Sequence, residues 1–249
     1  MAGWVLGQLG EFESAFRYVD RGLQLARDIQ NPYAEAAAVF LHGVVNLLRG
    51  EWNQAITGLE EARQIADRTG DLFRVYLTKL WEGRVHISVG DPRRGQVLLE
   101  EALVLSNQLG TKFMLGHLKA NLAAALVAVG DFDAATRLCQ EAIQLAGETG
   151  EKFGKALAHR VLAEAVSRIE PADRSRTDHE ILEAIRIQQE IGVRPELARS
   201  YVSYARLLTA HGEDARAREL LSRAIGMFRD MRMAWDLERA EQALRELVA

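Results

Sequence analysis

A glycine followed by an acidic residue returns every forty residues along this chain. The pairs are Gly10-Glu11, Gly50-Glu51, Gly90-Asp91, Gly130-Asp131 and, two residues late, Gly212-Glu213. A second glycine closes each unit at Gly70, Gly110, Gly150 and, again two late, Gly192. A fixed period of this length means units that cannot bury an apolar face alone and must stack on their neighbours. That requirement restricts the fold more than length does.

Each unit reads as two helices. From Thr111 to Gly130, Leu115, Leu118, Leu122, Ala125, Leu126 and Val129 follow helical spacing; from Ala135 to Ala146, Leu138, Cys139, Ala142 and Ile143 do the same. Gly130 suits the left-handed residue that ends the first helix (helix A), and Asp131 or Asp133 can cap the second (helix B). Small residues recur where paired helices must approach: Gly3, Gly43, Gly83, Ala123, Ala163 and Ala205 in one column. Ala15, Ala55, Gly95, Ala135 and Ala217 form a second, and Ala62, Ala102, Ala142, Ala184 and Ala224 a third. A turn column holds the bulky residues Phe12, Trp52, Pro92 and Phe132. As a set these positions resemble the tetratricopeptide repeat family in a long, forty-residue form, similar to the repeat regions of bacterial signalling regulators. The resemblance covers nearly the whole chain. It implies an all-α, right-handed solenoid of antiparallel helix hairpins.

On this reading residues 1–30 are a partial first repeat, followed by repeats 31–70, 71–110, 111–150, 151–192 and 193–232, and a capping helix 233–249, about thirteen helices in all. The first repeat begins in mid-helix, as expected of a fragment of something longer, of an open end that docks elsewhere, or of a naturally short first helix. Repeat 151–192 departs from the pattern: Glu170-Pro171-Ala172 replaces the glycine turn, Thr177 replaces a small residue, and EPADRSRTDHE carries two extra residues, either a surface insertion or a contact loop. Leu237, Ala240, Leu244 and Leu247 give the last helix one apolar stripe opposite a charged face, as a terminal cap requires.

Composition excludes several classes. A net charge of −4 gives no electrostatic footprint for nucleic acid or an acidic membrane. No apolar run approaches the roughly 20 residues of a membrane span, and the start lacks a signal peptide's basic region. The one cysteine, Cys139, admits no internal disulfide and fits a reducing, cytoplasmic setting. No catalytic motif is present: GDPRRGQV at Gly90–Val97 has Gln96 where a phosphate loop needs lysine, and it falls on a repeat turn. No enzyme activity, cofactor or metal is expected. One polar set, His42, Asn46, Glu82 and His86, replaces apolar positions of adjacent repeats; stacking should gather it, as a hydrogen-bonded ladder or, less favourably, as metal ligands.

In the family that the chain resembles, helix A residues line the concave face. Carried over, that rule selects an apolar half, Phe40, Val44, Leu47, Leu77, Leu80 and Trp81, with Arg84 and Ile87 beside it and Trp4 ahead of it. The polar half is His117, Asn121, Arg160, Glu164, Arg199, Ser203 and Arg206. Such a groove would hold a peptide or protein segment, aromatics supplying burial and arginines fixing acidic groups. The positions at which chaperone-binding members hold a carboxylate carry Ala120, Ala124, Arg160, Glu164, Val202 and Arg206, which does not match that subtype. The alternatives are a small-molecule sensor and self-assembly into a homo-oligomer through the amino-terminal end.

Overall fold

The computed structural model of the chain describes residues 2–170 and 173–248. Among the described residues there are thirteen helices and no strand. Six hairpins follow one another: α1 (Ala2–Gln8) with α2 (Phe12–Asp28), α3 (Pro32–Arg49) with α4 (Trp52–Thr69), and α5 (Leu72–Ser88) with α6 (Pro92–Leu109). Then come α7 (Leu115–Val129) with α8 (Phe132–Thr149), α9 (Lys152–Ile169) with α10 (Arg174–Ile191), and α11 (Arg194–Ala210) with α12 (Asp214–Asp230). A single helix, α13 (Ala234–Val248), ends the array.

The recurring glycines act as helix stops. Gly50 adopts φ 87° at the end of α3, which lets its N–H reach Leu47 O at 3.0 Å and the Glu51 N–H reach Asn46 O at 2.9 Å. A side chain would strain that left-handed residue, so glycine is the cheap solution. At the next turn the acid takes over: Asp131 Oδ1 accepts the Ala134 N–H at 3.1 Å and caps α8. The helix before it is shorter than its spacing predicts. It starts at Leu115 rather than near Thr111, because Met114 is left-handed (φ 56°) and the Tyr76 hydroxyl donates to Phe113 O at 2.6 Å. Pro171 and Ala172, part of the stretch read as an insertion or contact loop, lie outside the described residues.

The small-residue columns are the contact lines within hairpins. Ala55, Ala123, Ala135, Ala163 and Ala217 are fully buried. A Cβ added to Gly95 would lie 2.7 Å from Gly83 O, and one added to Gly83 would lie 2.6 Å from Leu99 Cγ. The α5–α6 backbones are therefore closer than any side chain there would allow. One main core runs from Phe12 to Ala240, and a second cluster around Cys139 and Leu162 fills the α7–α9 stack. No helix among the described residues is long and apolar enough to cross a membrane.

The array curves until its ends meet. Trp52, at the α3–α4 turn, packs edge-on against Trp235 of α13, with ring centroids 5.0 Å apart at 84°. Arg199 of α11 donates to Leu48 O at 3.1 Å across 151 residues, and Arg232 pairs with Glu13. Met231 lies beneath Gly10, where an added Cβ would come within 2.4 Å of its sulfur. The first hairpin thus rests on the chain's own last hairpin and the turn that follows it.

Candidate inner-face site

Curvature decides which helix A residues face a cavity and which become core. Phe40, Val44, Leu47, Leu77, Leu80 and Trp81 are all buried, with Val44, Leu47, Leu80 and Trp81 at 0% exposure. The expected apolar half of an open groove is instead filled by the chain itself. Trp4 of α1 stands edge-on to Trp81 at 5.1 Å, His117 lies 5.1 Å from its other side, and the Arg84 guanidinium sits 5.3 Å from its ring. Arg74 covers Phe40 at 5.1 Å. Wrapping α1 and α3 onto α5 leaves these side chains no surface to offer a partner, which corrects the sequence reading.

His117 is also internal. Its ring is sandwiched between Trp81 and Phe153 (4.7 Å), and neither nitrogen has a hydrogen-bond partner. Burial, then the nearby Arg84 charge, holds its pKa well below the usual imidazole range, so it is neutral. The four-residue polar set does not assemble. His42 Nδ1 meets Asn46 Nδ2 at 3.0 Å and its Nε2 approaches Asp20 at 3.7 Å, while Glu82 turns to Arg63 at 3.1 Å. His42 and Glu82 thus pair across repeats with Asp20 and Arg63, outside the set, rather than with each other, against the expected gathering. Among the described residues no three His, Cys, Asp or Glu side chains are placed to hold a metal ion.

The polar half is where a cavity remains. A hollow of about 290 Å³ is lined by Arg84, Asn121, Arg160, Arg199 and Arg206, with Trp52, Phe228, Trp235 and Arg239 completing its wall. Beneath it lies a buried ion-pair network. Glu196 accepts from Arg84 Nη2, from Arg199 Nη1 at 2.7 Å and from Arg160 Nη2 at 3.2 Å. Arg199 is also bidentate to Asp236 of α13, at 2.9 Å on both arms. Burial by itself would raise Glu196, but Arg84, Arg199 and Arg160 outweigh it and hold its carboxyl far below the usual range. Burial lowers Arg84 despite Glu196, and its Nη1 has no partner. Asn121 is fixed by donation to His117 O at 2.8 Å. Such a site can hold and orient anionic groups through planar, charge-assisted hydrogen bonds.

Five members of this site were not read from sequence: Glu196, Phe228, Trp235, Asp236 and Arg239. Trp52 was read only as a turn plug. Glu196 pairs with Arg84 and Arg160, 112 and 36 residues away, Asp236 with Arg199, 37 residues away, and Trp235 with Trp52 across the closing seam; helical periodicity carries no signal for such pairs. The nearest hint was that Asp236 falls within a helix whose apolar stripe already pointed inward.

No family model matches the chain, and no curated protein matches it in sequence. Solved structures do resemble it. BtubC (BKLC) from P. vanneervenii superposes with a TM-score of 0.56 at 19% identity, over 89% of this chain and 91% of that one. A Rap protein complexed with competence and sporulation factor gives 0.70 at 13% identity, over 99% and 72%. The signal transduction ATPase with a tetratricopeptide repeat sensor from Pyrococcus horikoshii gives 0.57 at 12% identity, over 94% of this chain and 39% of that chain. At these identities the likeness speaks for the fold. With the forty-residue period and six stacked hairpins, it shows an all-α solenoid of helix hairpins, a fold similar to that of tetratricopeptide repeat proteins.

Proposed function

We propose that this chain is a non-catalytic interaction module that holds an acidic segment of another protein at its arginine-lined inner hollow. The observation that carries this reading is the arrangement of Arg84, Arg160, Arg199, Arg206 and Arg239 around one cavity. A segment entering it meets donors already fixed by Glu196 and Asp236, so little ordering cost remains at binding. Support also comes from the Rap protein structure, in which a solenoid of similar shape is complexed with a factor, and from the Pyrococcus protein, whose repeats are described as a sensor. A role as the sensor or scaffold portion of a larger cytoplasmic signalling protein follows the same analogy.

The test is affinity capture with wild type beside an Arg160→Ala/Arg206→Ala variant, followed by titration of the captured protein against both. Wild type should bind at least tenfold more tightly while both keep the same far-UV helicity. Equal affinity would remove the hollow from the interaction.

A further inference from the structure

The hollow is charged beyond what its own acids neutralise. Five arginines, Arg84, Arg160, Arg199, Arg206 and Arg239, line it. Against them stand Glu196 beneath the hollow, Asp236 in its wall, and Glu164 on the adjoining rim beside Ser203 and Arg206. Five cations against three carboxylates leave an excess of positive charge, increased by Arg168 on the same rim as Glu164, in a chain whose net charge is −4. The excess is not spread evenly. Arg84 and Arg199 are spent on Glu196 and Asp236. Arg160 has one hydrogen bond to Glu196, at 3.2 Å, and its other N–H groups are open to a ligand. Arg206 and Arg239 form no ion pair among the described residues; Arg239 only overlies the Trp235 ring at 4.5 Å.

We infer that the hollow is a phosphate-binding site: Arg160, Arg206 and Arg239 hold a phosphomonoester, with Arg84 and Arg199 as a fixed positive floor. A phosphomonoester carries roughly −1.5 to −2 charges at neutral pH and three strong acceptor oxygens, so it offsets more of the excess than a single carboxylate does. Guanidinium forks suit such oxygens because each offers paired, planar donors. The Trp52, Phe228 and Trp235 walls displace water and lower the local dielectric, so the attraction is stronger than on an open surface. The phosphate has two sources in this chemistry, a phosphorylated side chain of a protein or a small phosphate ester. The inference deepens the interaction reading and rests on it only for the first source.

Intrinsic fluorescence offers the assay, because Trp52 and Trp235 border the hollow. The full chain is titrated at low ionic strength with inorganic phosphate, and with acetate at matched ionic strength. A phosphoserine peptide, its unphosphorylated twin and glucose 6-phosphate form the remaining arms. Phosphate should saturate near the millimolar range, about 1 mM, and well ahead of acetate. Preference for the phosphopeptide over glucose 6-phosphate identifies a protein source, and the reverse order a metabolite. Arg206→Ala/Arg239→Ala, at two exposed positions that the fold does not need, should weaken phosphate about tenfold. Glu164→Gln removes an opposing charge and should tighten it about threefold, a gain that damage to the fold cannot imitate. The inference fails if phosphate does not saturate, if acetate binds as well, or if both variants match wild type. Should that happen while an unphosphorylated protein is still captured through Arg160 and Arg206, the interaction reading stands and only the phosphate site falls.

Discussion

Arg199→Met tests how the two ends of the solenoid are held together. The substitution keeps most of the side chain's length and removes four polar contacts: both arms to Asp236 (2.9 Å each), one to Glu196 (2.7 Å) and one to Leu48 O (3.1 Å). Glu196 keeps Arg84 and Arg160, so its charge remains compensated. Asp236 keeps no cation, yet it is only 6% exposed. The cost is therefore dominated by one uncompensated buried carboxylate, on the order of 3–5 kcal/mol. The lost hydrogen bond to Leu48 O adds about 1 kcal/mol. Urea unfolding followed by far-UV circular dichroism should show a lower midpoint at unchanged slope. Adding Asp236→Leu removes the stranded charge, so the double variant should recover at least 2 kcal/mol of the single variant's loss. A single variant within 1 kcal/mol of wild type would refute the reasoning. So would a double variant whose loss equals the sum of its parts, because the two side chains would then be uncoupled.

Trp81→Ala should lower stability by about 3–5 kcal/mol, since the side chain is fully buried against Trp4, His117 and Arg84; a denaturation curve matching wild type would place it back on an open surface. Glu151 gives a pH signature. Its carboxylate accepts the Gly116 and His117 N–H groups at 3.1 and 3.0 Å, yet burial outweighs these bonds and raises its pKa from 4.5 to about 7. A raised carboxyl favours the fold fully below the unfolded value and loses that favour as pH climbs through the folded one. Thermal stability should thus fall between pH 4.5 and about 7 by roughly 3 kcal/mol, and Glu151→Gln should flatten that slope. Gly95→Ala should cost about 1–3 kcal/mol because its Cβ would meet Gly83 O at 2.7 Å, whereas Gly147→Ala, with nothing within 4 Å, should gain about 0.5–1 kcal/mol; equal effects in chemical denaturation would dismiss the close-approach argument.

The helix hairpins were legible because their signals are local. Gly50 and Gly130 stop helices through a backbone angle that the lack of a side chain permits, and Asp131 caps α8 three residues away. The columns through Gly83 and Ala135 were legible because hairpin contacts repeat with the sequence. The candidate site was only half legible. Arg160, Arg199 and Arg206, three of the residues that the family resemblance selected, line the hollow. Trp81 and Phe40 are also helix A residues yet are covered, Trp81 by Trp4 of α1 and by His117 of α7, and Phe40 by Arg74 of α5. Nothing in a period of forty residues states how sharply the stack bends. Pairs such as Arg84 with Glu196, 112 residues apart, exist only once that bend is fixed.

The seam between Trp52 and Trp235 also bears on how such a chain can change over time. An open solenoid gains or loses a hairpin without penalty elsewhere, since each unit answers only to its neighbours. Here an added hairpin would rotate the closing helix past the α3–α4 turn and leave two tryptophans, a buried arginine and a buried aspartate without their counterparts. The number of units between that turn and α13 is therefore fixed by closure, as the number of staves is fixed in a barrel.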